Sequence, residues 1–261
     1  MLGALWSAAT GMKAQQVNID VTSNNLANVN TPGFKKSRAE FQDLIYHTAA
    51  EAGAPVNTGS RTPVGSQVGM GVRSVAIARS YAQGDFIQTE NPYDIGIEGD
   101  GFFQVQLGDG TISYTRDGSF KVDANGTLVT TEGYILQPNI NVPSNSRNVT
   151  VTPEGIVTAS IDGQVQQLGQ LQLVRFVNPA GLTSTGHNLF KPTDASGDPQ
   201  TFTPGEAGSS TRLLAGSLEG SNVRIVEEMV NLIIAQRAYE ANSKAISTSD
   251  EMLGQANSLK R

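Results

Sequence analysis

The chain has 261 residues with 18 basic and 24 acidic side chains, a formal net charge of −6 and a sequence pI near 5.0. This acidic balance argues against nucleic acid as the main partner, and the absence of cysteine excludes a disulfide framework and a thiolate metal site. No run approaches the ~20 apolar residues of a membrane span. The N-terminus also lacks the basic and apolar regions of a cleavable signal peptide.

The first 31 residues are predicted to form a helix that packs against another helix. Lys13 and Asp20 are the charged residues of this stretch. Apolar side chains recur every seven residues, which places them along one seam of a helix. A second row, Ala9, Gln16 and Ser23, is small or polar, so the seam is too thin to stabilise a lone helix in water. The apolar seam consists of Leu5, Met12, Ile19 and Leu26.

The helix runs into an amide-rich segment, "SNNLANVNTPGFKK", at residues 23–36. Amide side chains on a helix flank can hydrogen-bond to neighbouring elements without burying a charge. Thr31-Pro32-Gly33 is expected to stop the helix, because proline removes a backbone donor and glycine accepts the positive φ of a tight turn.

Residues 48–71 show no sustained hydrophobic period. The stretch carries two charges, Glu51 and Arg61, and its prolines favour extended backbone. Its composition is equally compatible with a flexible linker and with an extended arm whose apolar residues pack on neighbouring molecules. The arm interpretation assigns this role to Pro55, Val56, Pro63, Val64, Val68 and Met70.

The middle of the chain is predicted to be an antiparallel β-domain. Alternating apolar residues flank Asp-Gly, Asn-Gly and Pro-x-Gly turns, which is the β-hairpin pattern. Three such hairpins are centred on residues 108–110, 124–126 and 153–155, and "GQLQLVRFVN" adds a buried strand. Short strands at this spacing indicate a sandwich or barrel-like domain.

The C-terminal 41 residues contain no proline and repeat the pattern of the N-terminus. A heptad row of apolar residues has a polar companion row, Gln236, Ser243 and Asp250, and small residues allow another helix to approach. The fold class is therefore α+β and mainly β, with the terminal helices paired as a coiled-coil-like domain. The predicted domains are 1–34 with 220–261, an extended segment 35–72, and a β-domain 73–219. The heptad row consists of Ile225, Leu232, Tyr239, Ile246 and Leu253.

Templates for catalysis and for metal or cofactor binding are incomplete. "DANGTL" begins like a calcium loop, but Tyr134 stands where the bidentate glutamate belongs. Nucleophile-elbow and nucleotide-binding glycine patterns also fail. The acids Asp94, Glu98 and Asp100 could form a glycosidase pair, although acids on turns are usually solvated. We therefore predict that the chain is not an enzyme and has no cofactor, metal site or catalytic residue.

Four ordered motifs resemble those of the bacterial flagellar rod and hook protein family. They are "SNNLANVNTPGFKK", "QGDFIQTENPYDIGIEGDGFFQV", "YTRDGSF" and "VEEMVNLIIAQRAYEANSKAISTSDEML", and they extend over nearly the whole chain. Length and the C-terminal sequence are closest to the distal rod branch. The family signature falls on Asn24, Asn25, Leu26, Ala27, Asn28, Thr31, Pro32, Gly33 and Phe34.

This resemblance implies a structural subunit that polymerises into a rigid helical tube and transmits motor torque across the periplasm to the hook. The implied location is the basal body of the flagellum. The implied partners are further copies of the chain, proximal rod proteins below, hook protein or a hook-side junction above, and periplasmic and outer-membrane ring proteins around the tube. Export is expected through the flagellar type III apparatus without a cleavable signal peptide. The segment matching residues 48–72 is implied to stiffen the tube.

Alternatives to a distal rod subunit stay open at this point, among them a wall-active glycosidase, which would need paired acids in a cleft. The chain could be a proximal rod or hook paralogue of the same family. It could also be a secreted β-domain on a coiled-coil stalk, which would form small closed oligomers instead of an open filament.

Overall fold

A computed structural model of the chain describes residues 2–53, 55–57, 60–161, 163–206 and 210–258. The chain divides into two compact units. The first consists of Met1–Leu26, Ser37–Ala78 and Arg224–Arg261, and the second of Ala27–Lys36 and Arg79–Val223. The first unit contains nine basic and nine acidic residues and the second nine and 15, so the net charge of −6 belongs to the second. The three domains predicted from the sequence have other boundaries and remain a prediction.

The first unit contains a helix from each end of the chain, as predicted. Helix α1 spans Leu2–Ala27 and α2 spans Ile225–Ser258, which are 26 and 34 residues long. Neither contains proline, and both exceed the ~12–15 residues below which an isolated helix is marginal. Glu227 and Glu228 lie in the first turn of α2, where negative charge interacts favourably with the helix dipole.

The rest of the first unit is a long two-stranded ribbon. Its strands pair in nested order, β1 with β6, β2 with β5 and β3 with β4. Residues 48–71 therefore contain paired strands, although the sequence shows no period there. The physical reason is that the strands are short and the register shifts within both the β2–β5 and β3–β4 pairs, so no alternation of apolar residues builds up. The strands are β1 Ser37–Asp43, β2 Tyr46–Ala50, β3 Pro55–Asn57, β4 Ser60–Arg61, β5 Ser66–Gly69 and β6 Val72–Arg79.

The second unit consists of small antiparallel sheets, and the predicted antiparallel β-domain is confirmed. A seven-stranded sheet has the order β11-β12-β13-β9-β10-β19-β18, a three-stranded sheet has the order β14-β15-β16, and the pairs β17–β20, β21–β8 and β22–β7 complete the unit. The strands are β7 Phe86–Gln88, β8 Ile95–Glu98, β9 Phe103–Gln106, β10 Ile112–Thr115, β11 Lys121–Val122, β12 Leu128–Val129, β13 Ile135–Gln137, β14 Ser146–Val151, β15 Ile156–Ile161, β16 Gln164–Gln170, β17 Leu173–Arg175, β18 Thr183–Gly186, β19 Leu189–Lys191, β20 Gln200–Phe202, β21 Arg212–Ala215 and β22 Ser217–Glu219.

The three predicted hairpins form as β9–β10, β11–β12 and β14–β15. The glycine of each turn, Gly110, Gly126 and Gly155, has a φ of 80–83°, which an L side chain rarely adopts. The single strand predicted for "GQLQLVRFVN" is wrong. The run is divided between β16 and β17, which pair in different sheets, and the buried Leu171 lies between them.

The core of the second unit has two parts. The larger combines side chains from β8, β9, β13, β15 and β21, and Phe103, Val105, Leu136 and Val157 in it are fully buried. The smaller is aromatic: Phe102 meets Phe176 and Phe190 edge to face, each at 5.8 Å between ring centroids. Edge-to-face pairs of this kind add to the stabilisation from burial.

Candidate functional site

Helices α1 and α2 meet in antiparallel register. The Asn25 side-chain amide donates to Glu228 Oε2 at 3.3 Å. Farther along, Gly11 packs against the side chain of Asn242, because a Cβ there would lie 2.9 Å from Asn242 Nδ2. As the residue number rises from 11 to 25 on α1, its partner falls from 242 to 228 on α2. The two contacts therefore share one antiparallel register.

The buried row of α2 consists of small or polar residues. Glu228, Ala235 and Ser249 are its buried residues, and Asn242 completes their seven-residue spacing. This row lies three positions after the predicted apolar row, in which Leu232, Ile246 and Leu253 are half-buried and Ile225 and Tyr239 are exposed. The expected companion row, Gln236, Ser243 and Asp250, is exposed. The seven-residue period therefore recurs among the buried residues of α2, on a row that the sequence did not indicate, and the role of the predicted apolar row in polymerisation remains a prediction.

Helix α1 shows the same arrangement. The predicted residues Leu5, Met12, Ile19 and Leu26 are half-buried, and the predicted companions Ala9, Gln16 and Ser23 are exposed. Small side chains again occupy the buried positions, and Trp6 is 64% exposed. In a single chain, much of the apolar surface of both helices thus faces solvent. The buried residues of α1 are Ala8, Ala14, Val21, Thr22 and Asn25.

A stripe of exposed apolar residues follows the first three turns of α2 and was not predicted from the sequence. Val226 is 75% exposed, and the rest of the stripe is 50–60% exposed. The spacing is that of one helix face, so "IVEEMVNLII" carries the signal, but its apolar residues suggest a buried face. An exposed apolar patch of this kind marks an interaction surface. The stripe consists of Val226, Met229, Val230, Ile233 and Ile234.

Asn25, the second residue of the signature, lies on α1 and contacts two further elements of the first unit. Its Oδ1 accepts from Ser37 N at 2.9 Å, and its Nδ2 donates to Ser37 O at 2.8 Å. The same Nδ2 donates to Glu228 on α2. The amide therefore pairs with the backbone of β1 as a neighbouring strand would. These contacts need both a donor and an acceptor, which an asparagine side chain supplies. This explains why Asn25 is a polar residue although it is only 2% exposed.

The later members of the signature, from Asn28 to Phe34, form a turn in the second unit. Thr31 N donates to Asn28 O and Phe34 N to Thr31 O. Gly33 has a φ of +68°, as its predicted turn requires, and a Cβ there would lie 2.7 Å from Arg116 C. Glycine is therefore needed for both backbone conformation and close approach. Among the remaining members, Asn24 and Ala27 are exposed and Pro32 is half-buried.

Lys35, two residues after Gly33, forms a buried ion triad with Glu219 and Arg116. Lys35 Nζ lies 2.6 Å from Glu219 Oε1, and Arg116 Nε lies 2.6 Å from Glu219 Oε2. Gly84 N also donates to Glu219 Oε1, and Lys35 donates to Ala82 O. These bonds satisfy both carboxylate oxygens. The triad links a position near the N-terminal helix, the residue that follows β10 and the last strand before the C-terminal helix.

Burial and charge oppose each other in this triad. Burial lowers the pKa of Lys35 from its usual value, although Glu219 raises it. Burial raises the pKa of Glu219, but Arg116 and Lys35 together outweigh burial and hold that pKa below its usual range. Removing one partner would leave an uncompensated buried charge, which is strongly destabilising.

Asn222, three residues after Glu219, contacts the segment that contains Lys35 as well. Its Oδ1 accepts from Lys36 N at 2.7 Å, and its Nδ2 donates to Ser80 O and Ala82 O. Gly33 N also donates to Glu219 O at 2.8 Å. Residues 33–36 and 219–222 are therefore fixed side by side at the points where the chain enters and leaves the second unit.

The residues predicted to form a stiffening arm lie on the ribbon. Val64 is 77% exposed, Val68 62% and Met70 44%, and Pro63 is also exposed. The backbone of Pro55 and Val56 belongs to β3, and their side chains lie outside the described residues. Ile45 and Tyr46 add further exposed apolar surface. A two-stranded ribbon is marginally stable by itself, so this surface is suited to packing on another molecule.

The acids considered for catalysis have structural surroundings. Asp94 is buried and accepts hydrogen bonds from Thr89 and Asn91, while Glu98 and Asp100 are exposed. Within the described residues, no group of three or more potential metal ligands comes together. Across the same part of the chain, no helix has the length and apolar character needed to cross a membrane.

Three regions of the chain match known protein families. Residues 5–35 match the family described as flagella basal body rod protein, residues 96–159 the flagellar hook protein FlgE/F/G D1 domain, and residues 214–259 the flagellar basal body rod FlgEFG protein C-terminal region. Each region supplies one member of the triad, Lys35, Arg116 and Glu219. Asn25 and Glu228 likewise come from the first and last regions.

Full-length relatives carry the same description. The chain is 53% identical to the flagellar basal-body rod protein FlgG of Borreliella burgdorferi, with 100% of each chain covered. It is 51% identical to FlgG of Buchnera aphidicola subsp. Acyrthosiphon pisum, over 99% of this chain and 100% of the relative. It is 46% identical to FlgG of Caulobacter vibrioides, over 98% of this chain and 99% of the relative.

Proposed function

The chain belongs to the family of flagellar basal-body rod proteins and is a structural subunit of the distal rod, and we propose that it polymerises through its terminal helices into an open helical tube. Its place is the basal body of the bacterial flagellum, in the rod that spans the periplasm. Its relatives are structural rod proteins, not enzymes.

The observation that carries this proposal is the exposed apolar surface of α2. Five apolar residues between Val226 and Ile234 are each at least half exposed in the single chain. At ~25 cal/mol per Å² of buried apolar area, covering such a stripe on a second copy is a substantial driving force. A head-to-tail contact that does not close on itself generates an open helical filament.

The two terminal helices would act in this polymer as a coiled-coil-like pair. Support comes from the antiparallel contacts at Gly11–Asn242 and Asn25–Glu228 and from the half-buried heptad rows of both helices. The equal numbers of acidic and basic residues in the first unit fit this role, because helices with balanced charge can pack at high local density without strong self-repulsion.

The ribbon would act as the stiffening arm of the tube. A tube bends when its rows of subunits slide past each other, and an arm lying across neighbours adds contacts that oppose sliding. The exposed side chains of Val64, Val68 and Met70 support this role. Pro55, Val56 and Pro63 belong to the same proposed arm.

Membership of the basal-body rod family supports assembly with other rod and hook components. We assign the proximal rod proteins to one end of the tube and the hook protein or a hook-side junction to the other. Periplasmic and outer-membrane ring proteins would surround the tube, which would transmit torque as a drive shaft. Subunits would reach the growing end through the type III export apparatus.

Electron microscopy of the purified, concentrated protein tests this function. Open tubes of uniform diameter are expected. Discrete closed oligomers would instead support a β-domain on a coiled-coil stalk, and protein that remains monomeric at high concentration would contradict self-assembly.

A further inference from the structure

A cleft in the second unit lies beside the buried triad. Lys35 and Arg116 contribute to its lining, and Phe102 and Phe176 form an aromatic part of it. Arg175 and Asp100 also line the cleft and are exposed. The cleft thus combines apolar walls with cationic groups, two of which are buried.

The charges around this cleft do not balance. Lys35 and Arg116 share one carboxylate, that of Glu219, so the triad carries a residual charge of about +1 when all three groups are ionised. Arg175 adds a third cation, and its guanidinium lies 4.9 Å from the centre of the Phe202 ring. Among the described residues that line the cleft, Asp100 is the one carboxylate, which leaves one net positive charge. The cleft is therefore locally positive, although the second unit as a whole carries a net charge of −6.

Apart from Glu219, the hydrogen-bond acceptors of the triad cations are uncharged backbone oxygens. Arg116 already donates to the backbone oxygens of Ile97, Gly99 and Gly101. These neutral acceptors satisfy the guanidinium donors without cancelling the charge. A carboxylate entering the cleft would add the missing negative charge in a site with aromatic walls, where electrostatic interactions are less screened than in water.

We propose that this cleft binds an acidic side chain of a second copy of the chain. This inference rests on the proposed function, because a polymer is what brings a second copy within reach. The exposed Val177, which is 78% exposed and also lines the cleft, would contact an apolar residue next to that acid. Charge complementarity of this kind sets the register between partners and excludes wrong ones. The cleft therefore fixes how neighbouring subunits are placed.

Charge reversal at the edge of the cleft tests this contact. Arg175→Glu changes the exposed cation and leaves the triad intact. We expect a rise of about tenfold or more in the lowest concentration at which the protein polymerises. Arg147→Glu is the matched control, since it makes the same change of charge at an exposed site of β14, and it should alter that concentration by less than about twofold. Equal effects of the two substitutions would overturn the proposal, provided that both variants melt like the parent.

Chemical cross-linking tests which copy supplies the acid. The sequence variant Arg175→Lys keeps the charge and introduces an amine, which a carbodiimide couples to a nearby carboxylate as an amide with loss of water. In polymers mixed from isotopically light and heavy subunits, we expect mixed-isotope cross-links that are absent from the monomer. Cross-links confined to one chain, for example to Asp100, would overturn the proposal. If the parent does not polymerise, the proposed function fails as well; a parent that polymerises without such cross-links refutes the cleft alone.

Discussion

Asn25 and Glu228 share a buried hydrogen bond of 3.3 Å although they are 203 positions apart in the sequence. Asn25 also pairs with the backbone of Ser37 through both its oxygen and its nitrogen. One amide therefore holds the end of α1, the start of the ribbon and the first turn of α2. An uncharged group that both donates and accepts suits this place, because a carboxylate would face Glu228 with the same charge.

Asn25→Asp should disrupt this junction. The substitution preserves shape but places an acceptor against Ser37 O and the Glu228 carboxylate. We expect the free energy of unfolding of the assembled helices to fall by about 3 kcal/mol, the cost of an unpaired buried charge, and polymers to be lost. Asn30→Asp adds the same charge at an exposed position of the same segment. Polymerisation of both variants at the concentration of the parent would refute the role given to Asn25.

The terminal helices should be largely disordered in the free subunit. Helices α1 and α2 expose much of their apolar surface in a single chain, and helical stability comes chiefly from packing. The second unit has its own core and should stay folded. Hydrogen exchange on a verified monomer, compared with the polymer, should show protection of both termini only after assembly. Strong protection of both termini in the monomer would contradict this.

Leu232→Asp should abolish assembly without unfolding the second unit. Leu232 lies in the half-buried apolar row of α2, and an ionised, unpaired carboxylate there costs several kcal/mol when neighbouring helices cover it. The control is Gln236→Asp, which places the same side chain one turn later on an exposed face. Sedimentation should find the control in polymers and Leu232→Asp in the supernatant. Normal filaments from Leu232→Asp would refute this interface.

Glu219→Gln should reveal the contribution of the triad through its pH dependence. The pKa of Glu219 is held below its usual value of 4.5 in the folded state. The ionised Glu219 therefore contributes fully to the free energy of unfolding above its pKa in the unfolded state. This contribution is lost as pH falls through its pKa in the folded state. At pH 7 the substitution should lower the free energy of unfolding of the second unit by about 3–5 kcal/mol, because it leaves two buried cations without their carboxylate.

Urea unfolding of parent and variant at a series of pH values checks this prediction. The difference in unfolding free energy should stay constant from pH 7 to about 5 and shrink below about 4.5. Glu206→Gln is the control, since Glu206 is exposed in the same unit. A difference between parent and Glu219→Gln that does not change as pH falls would show that ionisation of Glu219 is not its source.

Local sequence signals predicted the helices and hairpins well. The β9–β10 hairpin follows from Asp109-Gly110 between alternating residues, and a positive φ at glycine is a property of that turn alone. The heptad period of α2 is similarly local. Its buried side was not predictable, because Ala235, Asn242 and Ser249 give no hydrophobic signal, while the apolar residues beside them stay exposed for a partner.

The triad could not be predicted from the sequence for a different reason. Lys35, Arg116 and Glu219 each lie close to polar residues and to glycine, and no local pattern distinguishes them from solvated surface charges. The contact between Lys35 and Glu219 spans 184 positions, and no local pattern predicts a pairing at that distance. The resemblance located Lys35 and Arg116 in family motifs but gave neither of them a role.

The ribbon gives the most direct test of how the tube resists bending. Ala50 of β2 pairs with Ser66 of β5, so residues 51–65 can be replaced by a two-residue Asn-Gly turn that keeps the β2–β5 pair. The terminal helices lie outside the change, and polymers should still form. We expect them to be curved or flexible where the parent's are straight, with a clearly shorter persistence length on electron micrographs.

A second variant separates the side chains from the length of the arm. Val64→Ser, Val68→Ser and Met70→Ser together remove exposed apolar groups and leave the backbone of the ribbon in place. Because ordering an arm costs about 1–2 kcal/mol per residue, loss of these contacts should release it from its neighbours and shorten the persistence length in the same direction. The matched control, Thr48→Ser with Gln67→Ser, alters two exposed polar residues of the β2–β5 pair and should leave the filaments straight. Filaments of both test variants as stiff as the parent's would show that residues 48–72 are a passive connection and do not stiffen the tube.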